Sequence, residues 1–188
     1  MLAFCAANPQ LNATILDFPQ TVEMAKKYAW EAGLTDRVAH LAGDAVTTEW
    51  PAEHDVVLMS YVWSSVGGAD ISVLERRAFD ALPSGGLVLV HDFMVDNAYE
   101  QSPFAAWYLL GSVFDNPNAV CLTPAFVEDA LRQVGFEIDA TEVMLPGIAM
   151  LTKACKPGWS PGADPSKAAG RSVLQFAESR WIPNRVSP

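Results

Sequence analysis

The chain reads as an α/β domain, an open and mostly parallel sheet with helices on its faces that closes at one end on an antiparallel hairpin. Three observations predict it. Short apolar runs, Ala13 to Leu16, Val38 to Ala42, Asp55 to Ser60 and Leu87 to Val90, alternate with segments of helical periodicity. Two of the runs stop at acids, Asp17 and Asp44, which places carboxylates at strand carboxyl ends, where open α/β sheets bind their ligands. Pro146-Gly147 then separates two further runs, Phe136 to Val143 and Ile148 to Lys153, as a hairpin turn does.

The elements follow in order. Met1 to Asn8 reads as the end of a helix. From Val22 the positions Val22, Ala25, Ala29 and Ala32 recur at helical spacing, and Gly33 stands where a left-handed stop is wanted. Thr47 to His54, with Trp50-Pro51, is loop. Asp70 is the expected N-cap of a helix burying Ile71, Leu74, Ala78 and Leu82, which Pro83-Ser84-Gly85-Gly86 ends. The aliphatic run Leu87 to Val90 delivers His91-Asp92-Phe93 to the carboxyl edge. An aromatic-rich helix is expected around Phe104 to Phe114, either a lid over a ligand or a packing helix. Thr123 caps the next helix, with Pro124 in its first turn and Gly135 as its stop. Beyond Cys155 the composition is that of a linker, and a short helix is expected over Ser172 to Trp181.

Composition bounds the function. The 188 residues, 51% hydrophobic, suit one domain with a sizeable core, assigned here to 1–156 with a tail over 157–188. Twelve basic residues against twenty-two acidic ones give a net charge of −10, which argues against a nucleic-acid or anionic-membrane surface. No stretch reaches the roughly 18 apolar residues of a membrane span. Three widely spaced cysteines, Cys5, Cys121 and Cys155, fit free thiols in a reducing cytoplasm, and no His, Cys or acid spacing suggests a metal.

Taken together, Ala13-Thr-Ile-Leu-Asp-Phe-Pro19, Gly33-Leu-Thr-Asp-Arg-Val38, Ala42-Gly-Asp44, Leu82-Pro-Ser-Gly-Gly86, Leu122-Thr-Pro124 and Val134-Gly-Phe136 resemble the C-terminal catalytic domain of small-molecule O-methyltransferases of the caffeate and hydroxyindole type. The resemblance covers residues 1–156 and implies a Rossmann-like class I methyltransferase sheet, S-adenosylmethionine (SAM) as cofactor and a homodimeric full-length protein. By position it implies that Asp17 holds the ribose hydroxyls with Phe18 beside the adenine, that Asp44 meets the adenine amino group with Ala45 following, and that Ser60 and Tyr61 open towards the methyl donor. His91 is then the candidate catalytic base. Trp63, Ser64, Asp92, Trp107 and Tyr108 fall on the substrate side.

Two departures from the family accompany it. The first strand and the Gly-x-Gly-x-Gly turn expected before Asp17 have no counterpart, so the chain reads either as an N-terminally truncated piece of a longer protein or as a reduced homologue, with the strands beside the gap left unpaired. The His-Asp pair that deprotonates a hydroxyl acceptor is replaced by Ser64-Ser65. A thioether carries no proton and needs no such base. On that ground, and on His91-Asp-Phe-Met-Val-Asp96, a narrower resemblance runs to bacterial S-methyltransferases acting on 4-methylthio-2-hydroxybutyrate in dimethylsulfoniopropionate synthesis. The competing readings are a non-catalytic, truncated methyltransferase-like binding domain and a nicotinamide-dependent enzyme of the same broad fold.

Overall fold

In the computed structural model, residues 1–52, 54–100, 102–158 and 172–177 are described. They form a seven-stranded sheet in the order β2-β1-β7-β3-β4-β6-β5. In chain order the elements are α1 (Leu2–Ala7), β1 (Asn12–Asp17), α2 (Pro19–Glu31), β2 (Val38–Ala42), β3 (Val56–Ser60), a 3-10 turn at Trp63–Ser65, α3 (Gly68–Ala81), β4 (Leu87–Phe93), α4 (Pro103–Asp115), α5 (Pro124–Val134), β5 (Glu137–Leu145), β6 (Ala149–Cys155) and β7 (Ser172–Ala177). Strands β2, β1, β7, β3 and β4 run parallel, and β6 joins β4 antiparallel, with β5 beyond it. The mixed α/β architecture with its closing hairpin is the one the sequence predicts.

The centre of the sheet holds a correction. Residues 172–177, expected as helix, form β7, and the position expected to be empty between β1 and β3 is the one they take. Asn12 to Leu16 pair with Ser172 to Phe176 on one side, and Val56 to Ser60 pair with Val173 to Ala177 on the other. The edges of β1 and β3 are therefore paired. A run such as Ser-Val-Leu-Gln-Phe-Ala is too short for periodicity to separate helix from strand, and its partners lie more than a hundred residues away. Trp181, at the far end of that expected helix, lies outside the described residues, as does most of the expected linker.

The main core lies between the sheet, α3 and α5. Leu16, Val57, Met59, Val88 and Val90 meet Ile71, Leu74, Ala78, Val127 and Leu131 there. Burial of such side chains contributes about 1.5–3 kcal/mol each. Glu75 is buried on the same helix, and burial pushes its carboxyl up to about 7. Helix α3 starts one turn before the expected cap, with Gly67 at the N-cap and Asp70 in the first turn, where its charge favours the helix dipole. At the other end Lys156 Nζ donates to the carbonyls of Phe79 and Leu82 at 2.6 and 2.8 Å and lies 4.5 Å over the Phe79 ring. Helix α5 is capped as predicted: Thr123 Oγ1 accepts from the Phe126 N–H at 3.1 Å, and Gly135 takes φ 105°.

Arg37 carries a job that no motif announced. One of its guanidinium nitrogens donates to the carbonyls of Cys5, Asn8, Pro9 and Leu11, tying the carboxyl end of α1 and the entry to β1 together. Among the described residues no helix is long and apolar enough to cross a membrane.

Candidate active site

Two carboxylates lie on neighbouring strand ends. Asp17 closes β1 and is 5% exposed, and its Oδ1 accepts from the Phe18 N–H at 2.7 Å, so the chain turns into α2 directly at the acid. Asp17 pairs in register with Ala42, which puts Asp44 just past the end of the adjacent strand. The Gly43 N–H donates to the Asp17 carbonyl at 2.9 Å. A Cβ at residue 43 would sit 2.1 Å from Thr48 Oγ1, so the tight loop that carries Asp44 requires a glycine there. Asp44 Oδ1 accepts from the Val46 N–H at 2.7 Å. Ala45, half-buried against the core, accepts from the Trp50 indole at 2.8 Å through its carbonyl. Phe18 is half-buried at the head of α2.

Across β7 the edge continues with Ser60, Tyr61 and His91. Leu16 and Met59 both pair with Phe176, so Asp17 and Ser60 stand level on the carboxyl edge. Ser60 and His91 are register partners, with Ser60 Oγ 3.1 Å from His91 Nδ1. Burial holds the His91 imidazole below its ordinary pKa, which favours the neutral ring at physiological pH. Tyr61 donates its N–H to the His91 carbonyl at 2.8 Å and sets its ring edge against the imidazole at 4.8 Å. Its φ of 57° is left-handed, a conformation that costs a non-glycine residue about 1 kcal/mol and is concentrated at functional sites. Burial, with the Asp92 charge adding to it, raises the Tyr61 phenol.

An aromatic run leads outwards from this corner. Tyr61 lies 4.6 Å from Phe93, Phe93 lies 3.9 Å from Tyr108, and Phe104 lies 6.2 Å from Phe93 and 6.1 Å from Trp107. Tyr108 is half-buried, while Trp107 is 70% exposed and extends the run to the surface of α4. Phe93 lies at the carboxyl edge beside His91, where the sequence places it, whereas Phe104 was not singled out, although it opens the aromatic helix.

Three residues expected on the substrate side have no exposed surface at all: Trp63, Ser64 and Asp92. Trp63 sits in the main core with its indole N–H 3.3 Å from Met59 Sδ. Asp92 points into the 3-10 turn rather than to the edge, because alternate residues of β4 face opposite sides of the sheet. It accepts from the backbone N–H groups of Phe93 and Ser64 at 2.8 and 3.2 Å. Burial pushes its carboxyl up to about 6, and hydrogen bonds to the charged form pull it back only in part. Ser65 Oγ closes the same turn by donating to the carbonyls of Tyr61 and Val62. The serines that stand in place of a His-Asp pair thus belong to the turn that shapes Tyr61.

A pair of strand-end carboxylate acceptors suits the hydroxyls and amino group of a nucleoside, so the β1–β2 edge fits that half of SAM. Among the described residues no group of three or more His, Cys, Asp or Glu side chains could hold a metal ion. His40 lies on β2 and His54 in the loop before β3, away from this edge, as the sequence suggests.

Residues 1–136 match the model of the O-methyltransferase domain family. The chain belongs to that family. It is 29% identical to an L-tyrosine C(3)-methyltransferase of Streptomyces lavendulae over 85% of this chain and 41% of that protein. With the tetracenomycin polyketide synthesis 8-O-methyl transferase of Streptomyces glaucescens the identity is 33%, over 74% of this chain and 41% of the relative. Among solved structures, the SAM-dependent methyltransferase SibL is 30% identical with a TM-score of 0.69, covering 83% of this chain and 46% of that one. This chain therefore spans less than half the length of these O-methyltransferase-domain relatives. They differ in acceptor atom, so membership leaves that atom open.

Proposed function

We propose that the chain is the catalytic part of a SAM-dependent methyltransferase acting on a small-molecule acceptor. One observation carries this: the two carboxylates and the Ser60–Tyr61–His91 corner stand level along one carboxyl edge, so a nucleoside held by Asp17 and Asp44 would present its far end to His91. The cofactor supplies an electrophilic methyl on a sulfonium. The chain's own part is alignment, for which proximity alone accounts for several kcal/mol of a displacement barrier. Tyr61, Phe93 and Tyr108 offer aromatic faces to a flat acceptor and to the sulfonium, the latter favourable by about 0.5–2 kcal/mol.

The acceptor atom is an oxygen in the first reading, which the Ser60–His91 contact supports, with His91 as the base. Its neutral ring, held by Ser60, suits proton removal from a hydroxyl. A thioether acceptor is the second reading, favoured by Ser64 and Ser65, which are built into a turn and leave no His-Asp base there. Homodimer assembly of the full-length protein belongs to the same proposal and is read by light scattering. Calorimetric titration with SAM and with NAD separates methyl transfer from nicotinamide chemistry and from a chain that binds neither. Single-turnover assays with hydroxyl and thioether acceptors then assign the atom. Absence of SAM binding would overturn the proposal.

A further inference from the structure

We infer that β7 is a positioning segment for the cofactor edge, so that seating of residues 172–177 and binding of SAM are thermodynamically linked. Among the described residues, no strand pairing joins β1 to β3 except through β7. On one side stand β1 and β2 with Asp17 and Asp44, and on the other β3 and β4 with Ser60, Tyr61 and His91. Strands in a sheet lie about 4.8 Å apart, so one intervening strand holds the β1 and β3 ends about 10 Å apart. Pairing of Phe176 with both Leu16 and Met59 also keeps those ends level. Val173 packs in one cluster with Val56 and Leu58 of β3, and Met1 and Leu11 border it from the other half, so the strand joins both halves through side chains too. A ligand that spans from the carboxylates to His91 lies across the carboxyl end of β7. When β7 leaves, the two halves of that site lose their common spacer.

The inference rests on the proposed SAM binding, and the experiment separates the two. Hydrogen exchange is followed on the full chain, with and without SAM, at the amides of 172–177 and at α5 as a remote reference, while calorimetry on the same sample reports binding. If opening of β7 destroys the site, SAM at about 100 times its Kd slows exchange at 172–177 about 100-fold. Leu174→Pro, which removes a ladder donor from a central strand, should weaken SAM binding at least 100-fold while exchange in α5 and β5 stays slow. Calorimetric binding with unchanged exchange at 172–177 overturns the linkage and spares the proposed function. Absence of any SAM binding by the wild-type chain overturns both.

Discussion

Asp92→Asn tests the electrostatics of the turn beside the Ser60–Tyr61–His91 corner. The carboxyl is fully buried and titrates near 6 instead of 3.8. That difference amounts to about 3 kcal/mol once the group is ionised in the folded protein. Because the folded state holds the proton more tightly than the unfolded chain, the stability this carboxyl contributes is full below about pH 4 and is lost as the pH rises through about 6. The quantity to follow is the difference between variant and wild type at each pH, in which the contributions of the rest of the chain cancel. Asparagine removes the ionisation but turns an amide N–H₂ towards one of the carboxyl's backbone donors, which costs about 1–3 kcal/mol at any pH. The wild type already carries roughly half of its ionisation cost at about pH 5 and nearly all of it at about pH 7.5. The variant should therefore gain about 1–2 kcal/mol relative to wild type between those two pH values. Urea unfolding with unchanged slopes measures it directly. A difference that is flat with pH, or one that moves against the variant as the pH rises, would refute a buried carboxyl that ionises at a cost.

The other predictions concern the edge and the helix ends. Asp17→Ala should weaken SAM binding by about 10- to 150-fold, the equivalent of about 1.5–3 kcal/mol for a charged acceptor, in a protein whose circular dichroism is unchanged; equal affinity in calorimetry removes Asp17 from the site. If His91 is the base for a hydroxyl acceptor, the single-turnover rate should fall on an acid limb below about pH 6.5, since burial lowers its pKa. His91→Ala should then abolish turnover, whereas a thioether acceptor should show neither effect and Ser64→Ala should leave most of the rate. Lys156→Met removes the cation from the carboxyl end of α3 and should cost about 1–3 kcal/mol in urea unfolding; a loss below about 0.5 kcal/mol would show that the two carbonyls are as well served by water. Gly135→Ala forces a side chain into left-handed backbone with its Cβ 3.2 Å from the Phe79 ring, and should cost at least about 1 kcal/mol.

Where local chemistry decides the structure, the sequence was readable. Thr123, Pro124 and Gly135 each have a single physical reason to stand at a helix end, and α5 starts and stops with them. The same holds for Asp17, whose position after four strand-forming residues needed no long-range information. Reading failed where the deciding partner lies far along the chain. Arg37 finds its four carbonyls only after α1 has folded back, and Ser172 to Ala177 become a strand because β1 and β3 present a slot for one. The strand ends that carry Asp17, Asp44, Ser60 and His91 were legible, and the burial of the residues between them was not. Trp63, Ser64 and Asp92 have the right chemistry for a pocket, but the pleat of β4 and the tight turn after Ser60 carry them into the interior.

A sheet in which an interior strand is translated after all the other described strands has an unusual order of assembly. Residues 12–16 and 56–60 must wait for residues 172–177, so the pairing that joins the two halves closes the longest loops among the described strand pairings, and loop closure slows the folding of such contacts. Until then each half offers an unpaired strand edge, the feature that recruits other chains during synthesis. Folding yield should therefore depend on how fast the last strand arrives, even where the finished protein is stable.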